Sequence, residues 1–230
     1  MNFEQYTNSK LYAIFDKLYK LIMLNLIWIA TVAIGFGVIT LFPATIALSV
    51  LLNSINLDQE FSLLRSFFTV FKKEFRKSQK LFLVLMLFGL LIGFDLVYFI
   101  DLFLSRPSMM NAFIVWLFLF ISIFYAMVLI HIGPVYVYFP RLSIKNTIKL
   151  AGMFSIRYLF HSLLLLVMHA ALILLVFFWP IFFPVFPILY FSGTQYVTLK
   201  LLGSVYRKYV REGTPLVVTD YFWQTPVDHK

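Results

Sequence analysis

Four side chains in an otherwise apolar chain have the chemistry to hold a proton or a polar solute: Asp95, His131, His169 and Gln195. A carboxyl, two imidazoles and a carboxamide can relay protons or line a wet path through a bilayer. Asp95 follows an apolar run that starts at Leu81, which puts it roughly 21 Å along a helix at about 1.5 Å per residue. An ionised group at that depth costs at least about 2.5–3.5 kcal/mol, so it needs a partner or water. His169 lies near the middle of the run Tyr158 to Trp179, and Gln195 sits in the last run with Ser192 and Thr194. His131 is nearer the end of its own run, beside Gly133 and Pro134. If Asp95, His169 and Gln195 share one cavity, a solute path or proton relay follows. The plainer reading gives Asp95 a structural hydrogen bond and packs each histidine, satisfied, between helices. Spacing along separate helices leaves both open.

Enzyme chemistry finds no motif. There is no H-E-x-x-H zinc helix, no G-x-x-x-x-G-K-[ST] phosphate loop and no G-x-S-x-G elbow. His131, His161, His169 and His229 lack metal-ligand spacing. With no cysteine, disulfides, thiolate metal sites and cysteine nucleophiles are excluded. The expectation is a non-enzyme with no catalytic residue, metal or cofactor.

The elements that must position these groups are set by composition. The chain has 230 residues, 62% hydrophobic and only 13% charged, against about 45–50% apolar and about 25% charged in soluble domains. This predicts an all-α polytopic membrane protein. The net charge of +9 comes with no nucleic-acid recognition motif. In a membrane protein it marks cytoplasmic loops and contact with anionic lipid.

A span needs roughly 20 apolar residues. Residues 1–17 form a polar, partly amphipathic start with no cleavage site after it, and the N-terminus is expected to be retained. Residues 18–55 are too long for one span and are broken by Gly35, Gly37 and Pro43. They fit a helical hairpin turning between Gly35 and Pro43, or a span followed by a re-entrant half-helix. Residues 56–80 are cytoplasmic, 81–139 hold a two-span hairpin, 140–157 are cytoplasmic again, 158–203 hold a second two-span hairpin, and 204–230 form a tail. Five to six spans result. With six, every Lys and Arg except Arg106 shares one side, 18 of 19. Positive charge is retained in the cytoplasm, so both termini are expected there.

Two basic amphipathic stretches precede spans. In the first, Phe61, Leu64, Phe68, Phe71 and Phe75 recur at helical spacing, with Lys72, Lys73 and Arg76 off that stripe. Such a helix anchors in the inner leaflet on anionic lipid, or docks its apolar stripe into a partner. The second, Leu142 to Phe160, matches the first at a shift of 81 residues, Ser62 to Ser143, Ser66 to Thr147 and Arg76 to Arg157. The tail is polar, and its Tyr221-Phe222-Trp223 cluster can dock on a membrane or a partner.

The ordered set N-L-x-W at Asn25 to Trp28, P-A-T-x-A from Pro43, Ala44 and Thr45, then F-x-x-x-F-K-x-x-F-x-K-S resembles the YesL family of bacterial integral membrane proteins. That family is named for a domain of unknown function, and the resemblance covers about residues 10–90. It implies a small polytopic protein of Gram-positive bacteria, encoded beside sugar-uptake ABC transporters, with no established activity and no catalytic residues. Two functions follow. One is a non-catalytic accessory of carbohydrate uptake, touching a sugar ABC permease or its ATPase through the basic helices. The other is a small-solute transporter or channel with Asp95 and His169 in its path.

Overall fold

In hydrocarbon, backbone polar groups must be satisfied internally, which favours helix. Every regular element among the described residues is helical. The computed structural model describes residues 10–182, 186–210 and 215–222.

Helices α1 (Lys10–Ile34) and α2 (Val38–Asn56) form a hairpin. Its turn is Gly35-Phe36-Gly37, with Phe36 and Gly37 at φ 57° and 66°. Glycine adopts that region without steric cost. Thr40 folds its hydroxyl back onto the Thr31 carbonyl at 3.1 Å, closing the turn. Pro43 lies inside α2, so this segment is a second full helix rather than a half-helix.

The chain continues through α3 (Leu63–Ser105), α4 (Met109–Tyr138), α5 (Ile144–Arg157) and α6 (Leu159–Phe178). A 3-10 turn, Pro180–Phe182, precedes α7 (Phe186–Tyr206), and α8 is the short Thr219–Phe222. Five of these, α1, α2, α3, α4 and α6, are long and apolar enough to cross a membrane. The segment expected as the last span, α7, is helical but falls outside that set. Its composition explains this: Ser192, Thr194 and Thr198 are polar, and all three are buried inside the bundle.

Helix α2 is the axis. In its apolar stretch 72% of residues are buried, against 6% in that of α3. It packs on α1, α3, α4 and α7. Ala44 and Ala47, both fully buried, let the neighbouring helices come close. Small hydroxyls in these helices bond back one turn, as Thr45 does to Leu41 O at 2.7 Å and Ser54 to Val50 O at 3.1 Å. Such back-bonding satisfies a polar side chain without a partner helix.

Lys17 pairs with Asp58 at 2.8 Å, and Lys20 with Glu60 at 3.1 Å, so α1 starts where α2 ends. The start of α3, the end of α4, α5, the end of α7 and α8 meet at this same basic end.

One sequence expectation changes here. The amphipathic helix expected within residues 56–80 and the span expected from Leu81 are one unbroken helix of 43 residues, roughly 65 Å long at about 1.5 Å per residue. No glycine or proline interrupts it before Gly89. Its basic half therefore continues the axis of the span instead of folding flat against a membrane surface. The second basic helix behaves differently. Between α5 and α6, Tyr158 leaves helical geometry at φ −114° and ψ 43°, and the chain turns.

Candidate functional site

The basic half of α3 buries Ser66, Phe67, Val70 and Ser78, in its packing against α2. The buried line is therefore not the stripe read from spacing. Phe61 precedes the helix, Phe71 and Phe75 are half-buried, and Leu64 and Phe68 remain 58% and 42% exposed. A phenylalanine-rich helix offers two adjacent lines at helical spacing, and Phe67 with Val70 won. What faces outward is a row four residues apart: Leu64, Phe68, Lys72, Arg76 and Lys80. Each step of four residues turns about 40° further round the helix, so the row winds along it as an exposed ridge.

Behind that row sits a knot of hydrogen bonds. Glu74 Oε1 accepts from the Tyr221 hydroxyl at 2.8 Å, and Oε2 accepts from the Tyr136 hydroxyl at 2.5 Å. Lys73 Nζ donates to the Tyr221 carbonyl at 2.7 Å. Lys77 donates to the Pro140 carbonyl and lies 4.8 Å from the Tyr136 ring centre. Arg65 stacks over Phe222 at 5.5 Å. Burial first, then the Glu74 carboxylate, pushes the Tyr221 phenol above its ordinary pKa. Sequence reasoning missed Glu74. The signal was its isolation, since it is the one acid among the cations of residues 61–80.

The tail reaches this knot by backbone pairing. Leu216 N–H donates to Val137 O at 2.8 Å, Asn53 Nδ2 donates to Leu216 O at 3.0 Å, and Val218 N–H donates to Ser54 Oγ at 2.9 Å. Asp220 accepts from Val217 N–H at 2.9 Å and holds the turn into α8. The tail aromatics expected to meet a membrane or partner thus divide: Tyr221 is buried in the chain's own fold and Phe222 is partly covered by Arg65. Trp223 and His229 lie outside the described residues.

A second polar region lies midway along the bundle. A cavity of about 220 Å³ is lined by Trp28, Thr45, His169, Tyr190, Thr194 and Gln195, among others. Trp28 Nε1 donates to Thr45 Oγ1 at 3.1 Å. Gln195 Nε2 donates to Ser49 Oγ at 2.9 Å and lies so close to Gly133 that a Cβ there would come within 2.5 Å. His169 Nδ1 bonds the Leu165 carbonyl at 2.8 Å. A carbonyl only accepts, so Nδ1 carries the proton and Nε2 of the neutral ring is an acceptor. Nearby, Asn25 donates to the Pro187 carbonyl and accepts from Ser192 N–H at 2.9 Å. The motif residues Asn25, Trp28 and Thr45 therefore join α1 to α2 and α7.

The remaining expectations separate. His131 is fully buried, with Nδ1 on the Tyr206 hydroxyl and Nε2 on Ser162 Oγ at 2.8 Å. Ser162 in turn bonds the Ser155 and Tyr158 carbonyls, each at 3.1 Å. That network is closed and apart from the cavity. Asp95 does not join His169 and Gln195. It is exposed on the outer face of α3, so the three-residue constellation reduces to His169 with Gln195. Among the described residues no cluster of three or more His, Cys, Asp or Glu is placed to hold a metal.

The family described as a protein of unknown function, DUF624, matches residues 21–96, which holds the hairpin, the motif residues and most of α3. The chain is 30% identical over 199 residues to the uncharacterized protein YteU of Bacillus subtilis (strain 168), covering 82% of each chain. No solved structure matches it.

Proposed function

The chain belongs to the DUF624 family, and from that premise we propose that it is a non-catalytic accessory of the bacterial cell membrane. Its role lies beside carbohydrate uptake, the setting that the YesL resemblance implies. The observation that carries this reading is the exposed row Leu64, Phe68, Lys72, Arg76 and Lys80 on a helix continuous with a span. An apolar pair followed by three cations is a surface for a partner that brings an apolar patch rimmed with acids. A sugar ABC permease or its ATPase is the partner proposed, with anionic lipid headgroups beside it at the lysines. The basic end faces the cytoplasm in this reading, because lysine and arginine are retained there.

A solute path is the second reading, favoured by the cavity between Trp28, His169 and Gln195. Asp95 takes no part in it. His169 and Gln195 remain as its polar groups.

Purification from native membranes in mild detergent, with and without Leu64→Asp plus Phe68→Asp, tests the accessory role. Both residues are exposed, so the fold is expected to survive the change. A permease or ATPase that co-purifies with the wild type and is lost from the variant supports the role. Recovery of the protein alone, together with solute flux in liposomes that His169→Leu abolishes, replaces it with the second reading.

A further inference from the structure

Asp95 is ten residues from the end of α3 at Ser105, roughly 15 Å along the axis. That is about half of a ~30 Å hydrocarbon core. It is exposed there. One turn on, Tyr98 is 60% exposed, its ring edge-on to Phe99 with ring centres 5.2 Å apart. Among the described residues neither the Asp95 carboxylate nor the Tyr98 hydroxyl has a hydrogen-bond or ion-pair partner. An acceptor and a donor stand side by side in a region where water cannot serve them.

We propose that α3 pairs with α3 of a second copy of this chain, each Asp95 accepting a hydrogen bond from Tyr98 of the other. Phe88, Leu91, Asp95 and Tyr98 follow steps of three, four and three, the seam spacing of two parallel helices. Phe88 and Leu91 are 53% and 54% exposed. Another side of the helix is already occupied by α4, where Phe99 stacks on Phe118 at 5.2 Å and Tyr125 donates to the Leu85 carbonyl at 2.7 Å. Copies inserted the same way meet with their α3 helices parallel, and a two-fold axis presents the same patch to itself. Helical side chains lean towards the N-terminus. The phenol of Tyr98 therefore reaches back to the level of Asp95 on the facing helix. A different partner carrying one cation would satisfy Asp95 and leave Tyr98 bare. A second copy satisfies both groups twice.

The chain has no cysteine, so single cysteines can be introduced without background. Leu91→Cys lies on the seam. Val97→Cys, 68% exposed, lies on another face. Copper–phenanthroline oxidation in native membranes should give a covalent dimer with the first and little with the second. Asp95→Leu and Tyr98→Phe should each weaken dimerisation in lipid vesicles by about tenfold, the loss expected for two symmetry-related interhelical hydrogen bonds. Asp95→Asn keeps an acceptor and should retain most of it. Asp95→Leu places an apolar group against lipid, so folding is expected to persist, and unchanged helical circular dichroism checks this. Equal cross-linking at both positions, cross-linking at Leu91→Cys only to a different polypeptide, or a dimer untouched by both Asp95→Leu and Tyr98→Phe overturns the proposal.

Discussion

Glu74 and Asp95 lie on one helix and have opposite fates. Glu74, in the basic half of α3, accepts from two phenols and sits among Lys73, Lys77 and the tail. Asp95, in the far half, faces outward with no partner among the described residues. Around Glu74 the fold wraps α2, α4 and residues 215–222 against the helix. Around Asp95 the described chain supplies little more than α4. The difference separates two uses of a polar side chain among apolar ones. One ties the chain to itself, and its loss is felt in stability. The other is left for something outside the chain, and its loss is felt in association.

Glu74→Leu should give the largest effect. It leaves the Tyr136 and Tyr221 hydroxyls buried without acceptors, at about 1–3 kcal/mol each. A lower thermal midpoint in detergent, with early proteolytic release of the tail, is the expected result. Asp95→Leu in the same assay should leave the midpoint unchanged or raise it. Equal destabilisation by the two substitutions would remove the contrast. His131→Phe comes next, at about 1–3 kcal/mol, because the Tyr206 and Ser162 hydroxyls lose their shared partner; chemical denaturation measures it. Trp28→Phe keeps the ring beside Phe191 at 4.1 Å and removes only the bond to Thr45, so about 1 kcal/mol is expected from the same titration.

The smallest effect belongs to Asp58→Asn. The Lys17 hydrogen bond and charge hold the Asp58 carboxyl below its ordinary pKa. A depressed folded value means the pair stabilises above the unfolded value and stops doing so as pH falls through the folded one. Asp58 is mostly exposed, which limits the contribution to about 1 kcal/mol or less. Thermal midpoints of wild type and Asp58→Asn should differ slightly at neutral pH and converge in acid.

The all-helical, membrane-spanning character was legible because apolar content and run length leave few alternatives. Gly35 and Gly37 mark the first turn because Gly37 adopts a positive φ. The buried face of α3 was not legible. Phe67 and Phe68 are chemically alike and adjacent, and the choice between them depends on where α2 lies. The polar helix α7 was read as a span from its apolar residues, while its Ser192, Thr194 and Thr198 turn inward. His169 and Gln195 line one cavity, but nothing along α3 tells which way Asp95 points. The tail looks polar from composition, and its docking rests on groups far away in the chain, among them Asn53, Val137 and Glu74, the last 147 residues from Tyr221.

Helix α3 has no joint between Leu63 and Ser105, so it acts as a lever. A span tilts when the surrounding bilayer thins, and straightens when it thickens. With the basic tip at Leu63 roughly 48 Å from Asp95 at the span's middle, a change of about 10° carries it about 8 Å sideways. Leu64 and Phe68 move in step with Asp95 and Tyr98, and the thickness of the lipid around one pair sets the position of the other.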